Sequence, residues 1–304
     1  VKELIDNIDC DKDKVFNEML EYYDGYKFND EAEEKVFNPT LTMYYLSDLI
    51  RLNRPPKQLM DSNIISNYEQ IKNIISLGDY EDIVTSILDD GLISSLLVVN
   101  FDLNKKFNNN DIISLLYYFG YLTIESGDGF LNTFKIPNKV INDIFNRYFL
   151  DIIKSEINTD ILVNSMNELK ELGNINLLTE YVSSILKESS NRNLIKFDEK
   201  YIKLIYKCLL TIINTYNVYD EYEVKNGYID LLLLRRDRNI KYDILIELKY
   251  LKKDEEKLYD KVLSEAKEQI NRYILDDRID KESIKKYVVV FINFDYKIVE
   301  VKWK

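Results

Sequence analysis

The sequence contains no histidine. Its absence excludes Ser-His-Asp catalytic triads, histidine general bases and nearly all zinc and copper sites, because each of these depends on an imidazole. Carboxylates, lysine and tyrosine remain as the side chains that can carry out acid-base chemistry. Since carboxylate oxygens bind hard cations, magnesium, manganese and calcium are the metals that this composition favours.

Cysteine and long apolar runs are also scarce. Cys10 and Cys208 lie far apart, which is typical of a protein from the reduced cytosol and not of a disulfide framework. We therefore expect a cytoplasmic location. No apolar run reaches the ~18 residues of a membrane helix and no secretory signal is present, so we expect no membrane contact. The chain begins with Val1 instead of Met, so we expect it to be a piece of a longer protein.

Acidic and basic residues are unevenly distributed along the 304 residues. The whole chain has a net charge of −12. Residues 190–304 carry 24 basic and 21 acidic residues, a net +3, so the first 189 residues carry −15. An acidic surface repels nucleic acid, whereas the C-terminal part can approach a phosphate backbone without general repulsion.

The patterning predicts an α+β protein with several domains. Residues 1–60 and 61–190 are predicted to be largely helical, and residues 191–304 to form a small α/β domain. From about residue 219 the hydrophobic period changes from helical to strand-like. The resulting order, α-β-β-β-α-β-β, predicts a mixed sheet.

Part of the helical region resembles a winged-helix module. The segment NNNDIISLLYYFGYL predicts a helix, LTIESGDGFLNTFKIP a hairpin around Gly127-Asp128-Gly129, and NKVINDIFNRYFLDII another helix. A compact helical domain with one hairpin would give the same order. The first of these helices has no Lys or Arg, which favours a structural or partner-contacting role over DNA binding.

The segment GYIDLLLLRRDRNIKYDILIELKY predicts a buried hairpin that carries charges. Glu247 and Lys249 share one face of their strand, because side chains alternate between faces. If Arg235 pairs with Tyr242 across the loop, the same register places Asp230 directly opposite Glu247. Opposed Cβ atoms lie about 5 Å apart. Two carboxylates so close repel unless a cation lies between them or one takes a proton.

These residues resemble the D…E-x-K core of the PD-(D/E)xK nuclease superfamily, which implies a restriction-endonuclease-like domain at residues 191–304. The resemblance implies that Asp230, Glu247 and the carbonyl of Leu248 hold magnesium or manganese and that Lys249 positions the attacking water. Gln269, in the helix EAKEQINRYI, would orient Lys249 or the phosphate. Hydrolysis of a phosphodiester bond in nucleic acid is the expected reaction.

The resemblance also implies further site residues, a partner region and a substrate. Glu221 lies where related proteins carry an acidic metal ligand, with Glu223 as its rival, and Tyr273 lies one turn beyond Gln269. MLEYYDGYKFNDEAEEKVFNPTLTMYYL resembles the C-terminal end of an AAA-ATPase-like domain, which implies an ATPase region as partner. DNA is the expected substrate.

Catalysis need not accompany this resemblance. The alternative is a catalytically inactive nuclease-fold scaffold, in which the helical and winged-helix-like parts bind a protein partner or DNA. No G-x-x-x-x-G-K-[ST] phosphate loop occurs in the chain, so ATP hydrolysis by these residues alone is not expected. The sequence leaves open whether the chain forms a homo-oligomer.

Overall fold

The computed structural model describes residues 5, 11–56, 64–77, 81–102, 104–154, 157–189, 197–213, 215–236 and 239–302. The chain divides into two compact units, Val1–Phe149 and Leu150–Lys304. The division at residues 60 and 190 stays a prediction. Within these described ranges, no helix has the length and apolar character required to cross a membrane.

The first unit combines helices with a three-stranded antiparallel sheet of order β1-β3-β2. Its elements are α1 (Lys12–Tyr23), α2 (Pro39–Leu52), α3 (Ile64–Ile75), α4 (Glu81–Asp90), β1 (Ile93–Leu96), α5 (Asn109–Tyr118), β2 (Thr123–Gly127), β3 (Leu131–Lys135) and the start of α6 (Lys139–Ile153). The hairpin predicted around Gly127-Asp128-Gly129 is confirmed, because β2 and β3 pair on either side of it.

Side-chain caps begin several helices in this unit, including the two whose starts the sequence predicts. The Asn38 side chain accepts a hydrogen bond from the backbone N–H of Leu41 at 3.1 Å, and proline follows at the first helical position. Asn108 caps α5 in the same way and forms a capping box with Asp111. Such caps satisfy N–H groups that a helix leaves unpaired, so the predicted helix starts have a physical cause.

The second unit contains the predicted mixed sheet. Its elements are the end of α6, α7 (Thr159–Leu172), α8 (Asn176–Ser189), α9 (Glu199–Ile213), β4 (Tyr216–Val224), β5 (Gly227–Arg235), β6 (Asp243–Leu251), a 3₁₀ helix (Lys253–Leu258), α10 (Tyr259–Tyr273), β7 (Ile284–Ile292) and β8 (Asp295–Glu300). The sheet order is β4-β5-β6-β7-β8. β6 and β7 are parallel and every other neighbouring pair is antiparallel.

The first strand of this sheet begins earlier than the sequence predicts. The sequence places a strand only from about Tyr222, with helix before it, whereas β4 already begins at Tyr216. β4 is an edge strand with one exposed face, and its residues NVYDEYEV are too polar for a clear strand pattern. Glu221 also interrupts the regular pairing, with a left-handed φ of 50°.

Helices cover both faces of the sheet. α10 packs on the face that carries Leu232, Leu245 and Val288, which are fully buried there. On the opposite face, the hydroxyl of Tyr287 donates a hydrogen bond to the carbonyl of Gly173 at the end of α7. Because β5, β6 and β7 are buried on both faces, they are nearly continuous apolar runs. A charged side chain inside one of these strands is therefore unusual, and its burial requires a specific interaction.

Candidate active site

The register of β5 and β6 is the predicted one. Leu231 pairs with Ile246, Leu232 with Leu245 and Leu233 with Ile244. The next position in this register sets Asp230 opposite Glu247, just where the regular ladder ends. Asp230 Oδ2 accepts a hydrogen bond from the backbone N–H of Leu248 at 2.8 Å. The predicted opposition of two carboxylates is thus present, and both are buried, with Asp230 8% and Glu247 1% exposed.

Lys249 forms ion pairs with both of these carboxylates. Its Nζ lies 2.8 Å from Glu247 Oε1 and 3.7 Å from Asp230 Oδ2. A third carboxylate, Glu199 at the start of α9, lies 3.6 Å from the same nitrogen. We call Asp230, Glu247, Lys249 and Glu199 the Lys249 cluster. It places three acids around one ammonium at the end of a hairpin.

The electrostatics of the cluster follow from burial. Burial raises the pKa of Glu247 to about 8, with a further contribution from the Asp230 charge, and these outweigh the lowering effect of Lys249. Burial also raises the pKa of Asp230 and of Glu199. The surrounding carboxylates raise the pKa of Lys249 despite its burial. One cation therefore does not compensate the acidic charge gathered here.

The donor set fits a hard divalent cation. Glu247 Oε2 is buried and has no hydrogen-bond partner among the described residues, although a buried carboxylate oxygen normally has one. Asp230 and Glu247 offer oxygens only, which suits magnesium or manganese. Within the described part of the chain, no three acidic side chains lie close enough to form a metal site by themselves. Water or backbone oxygens would have to complete the coordination, and the role of the Leu248 carbonyl stays a prediction.

Glu199 was missed by the sequence reasoning. An acidic residue in the first turn of a helix is common because it complements the helix dipole, so the segment FDEKYIK gives no signal of a site. The approach of Glu199 to Lys249 depends on how α9 packs against β4, β5 and β6, which local patterns do not reveal.

Glu221 of β4 lies directly across from Asp230 in the register that pairs Asp220 with Leu231. Its carboxylate forms an ion pair with Lys203 of α9. Its side chain is 57% exposed, far more than those of Asp230 and Glu247. The rival residue Glu223 lies opposite Tyr228, two positions nearer the turn, and is exposed. The assignment of Glu221 as a metal ligand stays a prediction.

A groove of about 390 Å³ adjoins the cluster. It is lined by residues from β6 and α10, namely Lys249, Val262, Glu265, Glu268, Gln269 and Arg272. Gln269 thus shares a groove with Lys249 as the sequence predicts, but no hydrogen bond joins the two among the described residues. Its proposed role in orienting Lys249 or a phosphate stays a prediction.

Tyr273 is buried on the sheet side of α10, not in the lining of the groove. Burial and the nearby Glu247 and Asp230 charges raise its pKa to about 12. The ring lies over Gly227, where the Cβ of any larger residue would come within 2.9 Å of Tyr273 Cε1. Gly227 also has a φ of +140°, so glycine at the start of β5 admits both this backbone and this ring.

The match to a known family covers this part of the chain. Residues 197–304 match the family model of the PD-(D/E)XK nuclease superfamily. Residues 197–304 are a PD-(D/E)XK nuclease superfamily domain. The domain contains α9, the five-stranded sheet, α10 and the whole Lys249 cluster. The chain has no match among curated proteins.

Proposed function

We propose that residues 197–304 form a metal-dependent nuclease that hydrolyses phosphodiester bonds, with DNA as its substrate. The observation that carries this proposal is the opposition of Asp230 and Glu247, with one buried carboxylate oxygen that has no partner among the described residues. The superfamily match indicates a nuclease. The preference for DNA over RNA comes from the sequence resemblance alone.

Each residue of the cluster has a distinct role in this proposal. Asp230 and Glu247 would hold magnesium or manganese, with Glu221 as a further candidate ligand, and Glu199 adds negative charge beside Lys249. A divalent cation held there supplies Lewis-acid polarisation of a phosphoryl oxygen and a more acidic water. The hydrogen bond from Leu248 N–H keeps the Asp230 carboxylate oriented. Lys249 positions the attacking water and stabilises the negative charge that develops on the phosphate.

The N-terminal unit would serve this activity through partners. We propose that this unit includes a winged-helix-like module. The sheet order β1-β3-β2, with α5 before the β2–β3 hairpin, supports this proposal. α5 (Asn109–Tyr118) carries no Lys or Arg, so contact with a protein suits it better than contact with DNA. The AAA-ATPase-like character of residues 1–60 rests on the sequence resemblance.

Cleavage assays with a matched variant test the proposed reaction. Purified protein is incubated with supercoiled plasmid and, separately, with labelled RNA, in magnesium and in EDTA. We expect magnesium-dependent nicking of the plasmid by the wild type and its loss in Glu247→Gln, which keeps the shape of the side chain. Equal nicking by both proteins would exclude this site. No cleavage of either substrate by the wild type would favour the inactive scaffold.

A further inference from the structure

Arg272 is a cation of the groove without an ionic partner in the described part of the chain. It lies in the last turn of α10, three residues after Gln269, and lines the same groove as Lys249. Its guanidinium makes no ion pair or side-chain hydrogen bond with any residue that the structure describes. Lys249, in contrast, is surrounded by three carboxylates. The positive charge that the groove can offer to a ligand is therefore mainly that of Arg272.

The acidic residues of the groove restrict where an anion can lie. Glu265 and Glu268 line it together with Arg272. A phosphate near these carboxylates would be repelled, whereas a phosphate beside the Arg272 guanidinium would meet a cation that no described carboxylate pairs with. The groove therefore favours an anion beside Arg272.

The guanidinium of arginine is well suited to bind a phosphate. A guanidinium presents a planar fork that donates two parallel hydrogen bonds to phosphate oxygens, and it stays charged at every relevant pH. An arginine in the last turn also complements the helix dipole, but a lysine would serve that purpose equally well. Only the forked geometry of its hydrogen-bond donors distinguishes arginine from lysine at this position.

We infer that Arg272 is a substrate-positioning residue that binds a backbone phosphate of the nucleic acid beside the Lys249 cluster. This inference rests on the proposed nuclease function and adds a specific phosphate contact to it. Arg272 fixes where the strand lies relative to Lys249 and takes no part in bond cleavage.

Binding measured as a function of salt tests the inference without catalysis. The probe is a short fluorescein-labelled DNA duplex, and its anisotropy is followed in EDTA at increasing salt. Loss of one phosphate contact should reduce the slope of log K against log salt by about 0.9. We expect this reduction for Arg272→Gln, together with binding weaker by roughly tenfold. Arg272→Lys should restore the slope but only part of the affinity.

Two controls make the result specific. Lys267→Gln removes one positive charge from the same helix outside the groove, and should leave slope and affinity nearly unchanged. In magnesium, Arg272→Gln should raise KM more than it lowers kcat. An unchanged slope in Arg272→Gln, or an equal loss in Lys267→Gln, would overturn the inference while leaving the nuclease proposal intact. A wild type that neither binds nor cleaves DNA or RNA would instead refute the proposed function.

Discussion

Strands β5 and β6 carry an ionic cluster with a buried carboxylate at each end, and the two clusters differ in how completely their charged groups are paired. At the loop end, Asp243 Oδ1 accepts hydrogen bonds from the backbone N–H of Arg235 at 2.7 Å and from its Nε at 3.1 Å. Nη2 of the same arginine reaches Asp243 Oδ2 at 3.4 Å, Asp280 at 3.0 Å and Ser283 at 2.7 Å. We call these residues the Arg235 cluster.

The charged groups of the Lys249 cluster are less completely paired than those of the Arg235 cluster. It gathers three carboxylates around one ammonium, and Glu247 Oε2 receives no hydrogen bond from any residue that the structure describes. The carboxylates of Asp243 and Glu247 are both buried, and both residues lie on β6. Burial alone therefore does not explain the difference between the two clusters. From this difference we infer that the Arg235 cluster holds the hairpin together, and we propose that the Lys249 cluster binds a ligand. Perturbed, incompletely satisfied acids are typical of functional sites.

The largest expected effect is on catalysis. Lys249→Met should reduce cleavage of plasmid DNA by at least about a hundredfold, because the residue that positions water and stabilises negative charge is lost. Manganese binding, measured by calorimetry, should persist, since Asp230 and Glu247 remain. Unchanged cleavage would remove Lys249 from the mechanism, and loss of metal binding would mean that its role is structural.

A substitution in the Arg235 cluster should lower the stability of the protein. Arg235→Met removes every side-chain donor that Asp243 has in this cluster and leaves a buried carboxylate poorly paired, so urea unfolding should show a loss of about 3 kcal/mol. The matched control is Lys241→Met in the adjoining loop, which breaks an exposed ion pair with Glu171 and should change the stability far less. Equal losses in the two variants would contradict the contrast between a buried and an exposed pair.

The Lys249 cluster should make the stability of the protein depend on pH above the ordinary glutamate pKa. The raised pKa of Glu247 means that the folded protein binds a proton more tightly than the unfolded chain does. Stability of the metal-free protein should therefore fall as pH rises from the ordinary glutamate value, 4.5, towards about 8. Thermal unfolding in EDTA measures this change. Glu247→Gln should flatten the dependence across this window, and an identical slope in the variant would contradict the assignment.

The smallest expected effect concerns the groove. Gln269→Ala should lower kcat/KM by roughly tenfold, the cost of one hydrogen bond to a charged or reacting group. Steady-state cleavage measures the loss, with Gln269→Glu as the second variant, because a negative charge near the phosphate should be more harmful than truncation. An alanine variant with wild-type kinetics would assign Gln269 to the surface of α10.

The central hairpin was predictable because its signals are local. Two apolar runs joined by a short charged loop leave few alternatives for the register, and this register fixes Asp230 opposite Glu247. The same alternation places Lys249 beside Glu247. Residues two apart on a strand and directly opposed on a hairpin can be located without knowledge of the rest of the fold.

The outer parts of the site were not predictable in this way. Glu199 reaches Lys249 only because α9 packs against the sheet, about fifty residues away in the sequence. The ion pair of Glu221 with Lys203 depends on the same packing and on the left-handed backbone at Glu221. Neither the helix packing nor a positive φ at a glutamate has a local sequence signal.

Calorimetric titration of manganese tests the central claim most directly, namely that Asp230 and Glu247 form a cation site between β5 and β6. The wild type should bind manganese with heat that saturates, Asp230→Asn should show no comparable binding, and Asp243→Asn, which alters the buried acid of the Arg235 cluster, should bind as the wild type does. The account would be contradicted if the wild type bound no manganese or if Asp230→Asn bound it as tightly as the wild type.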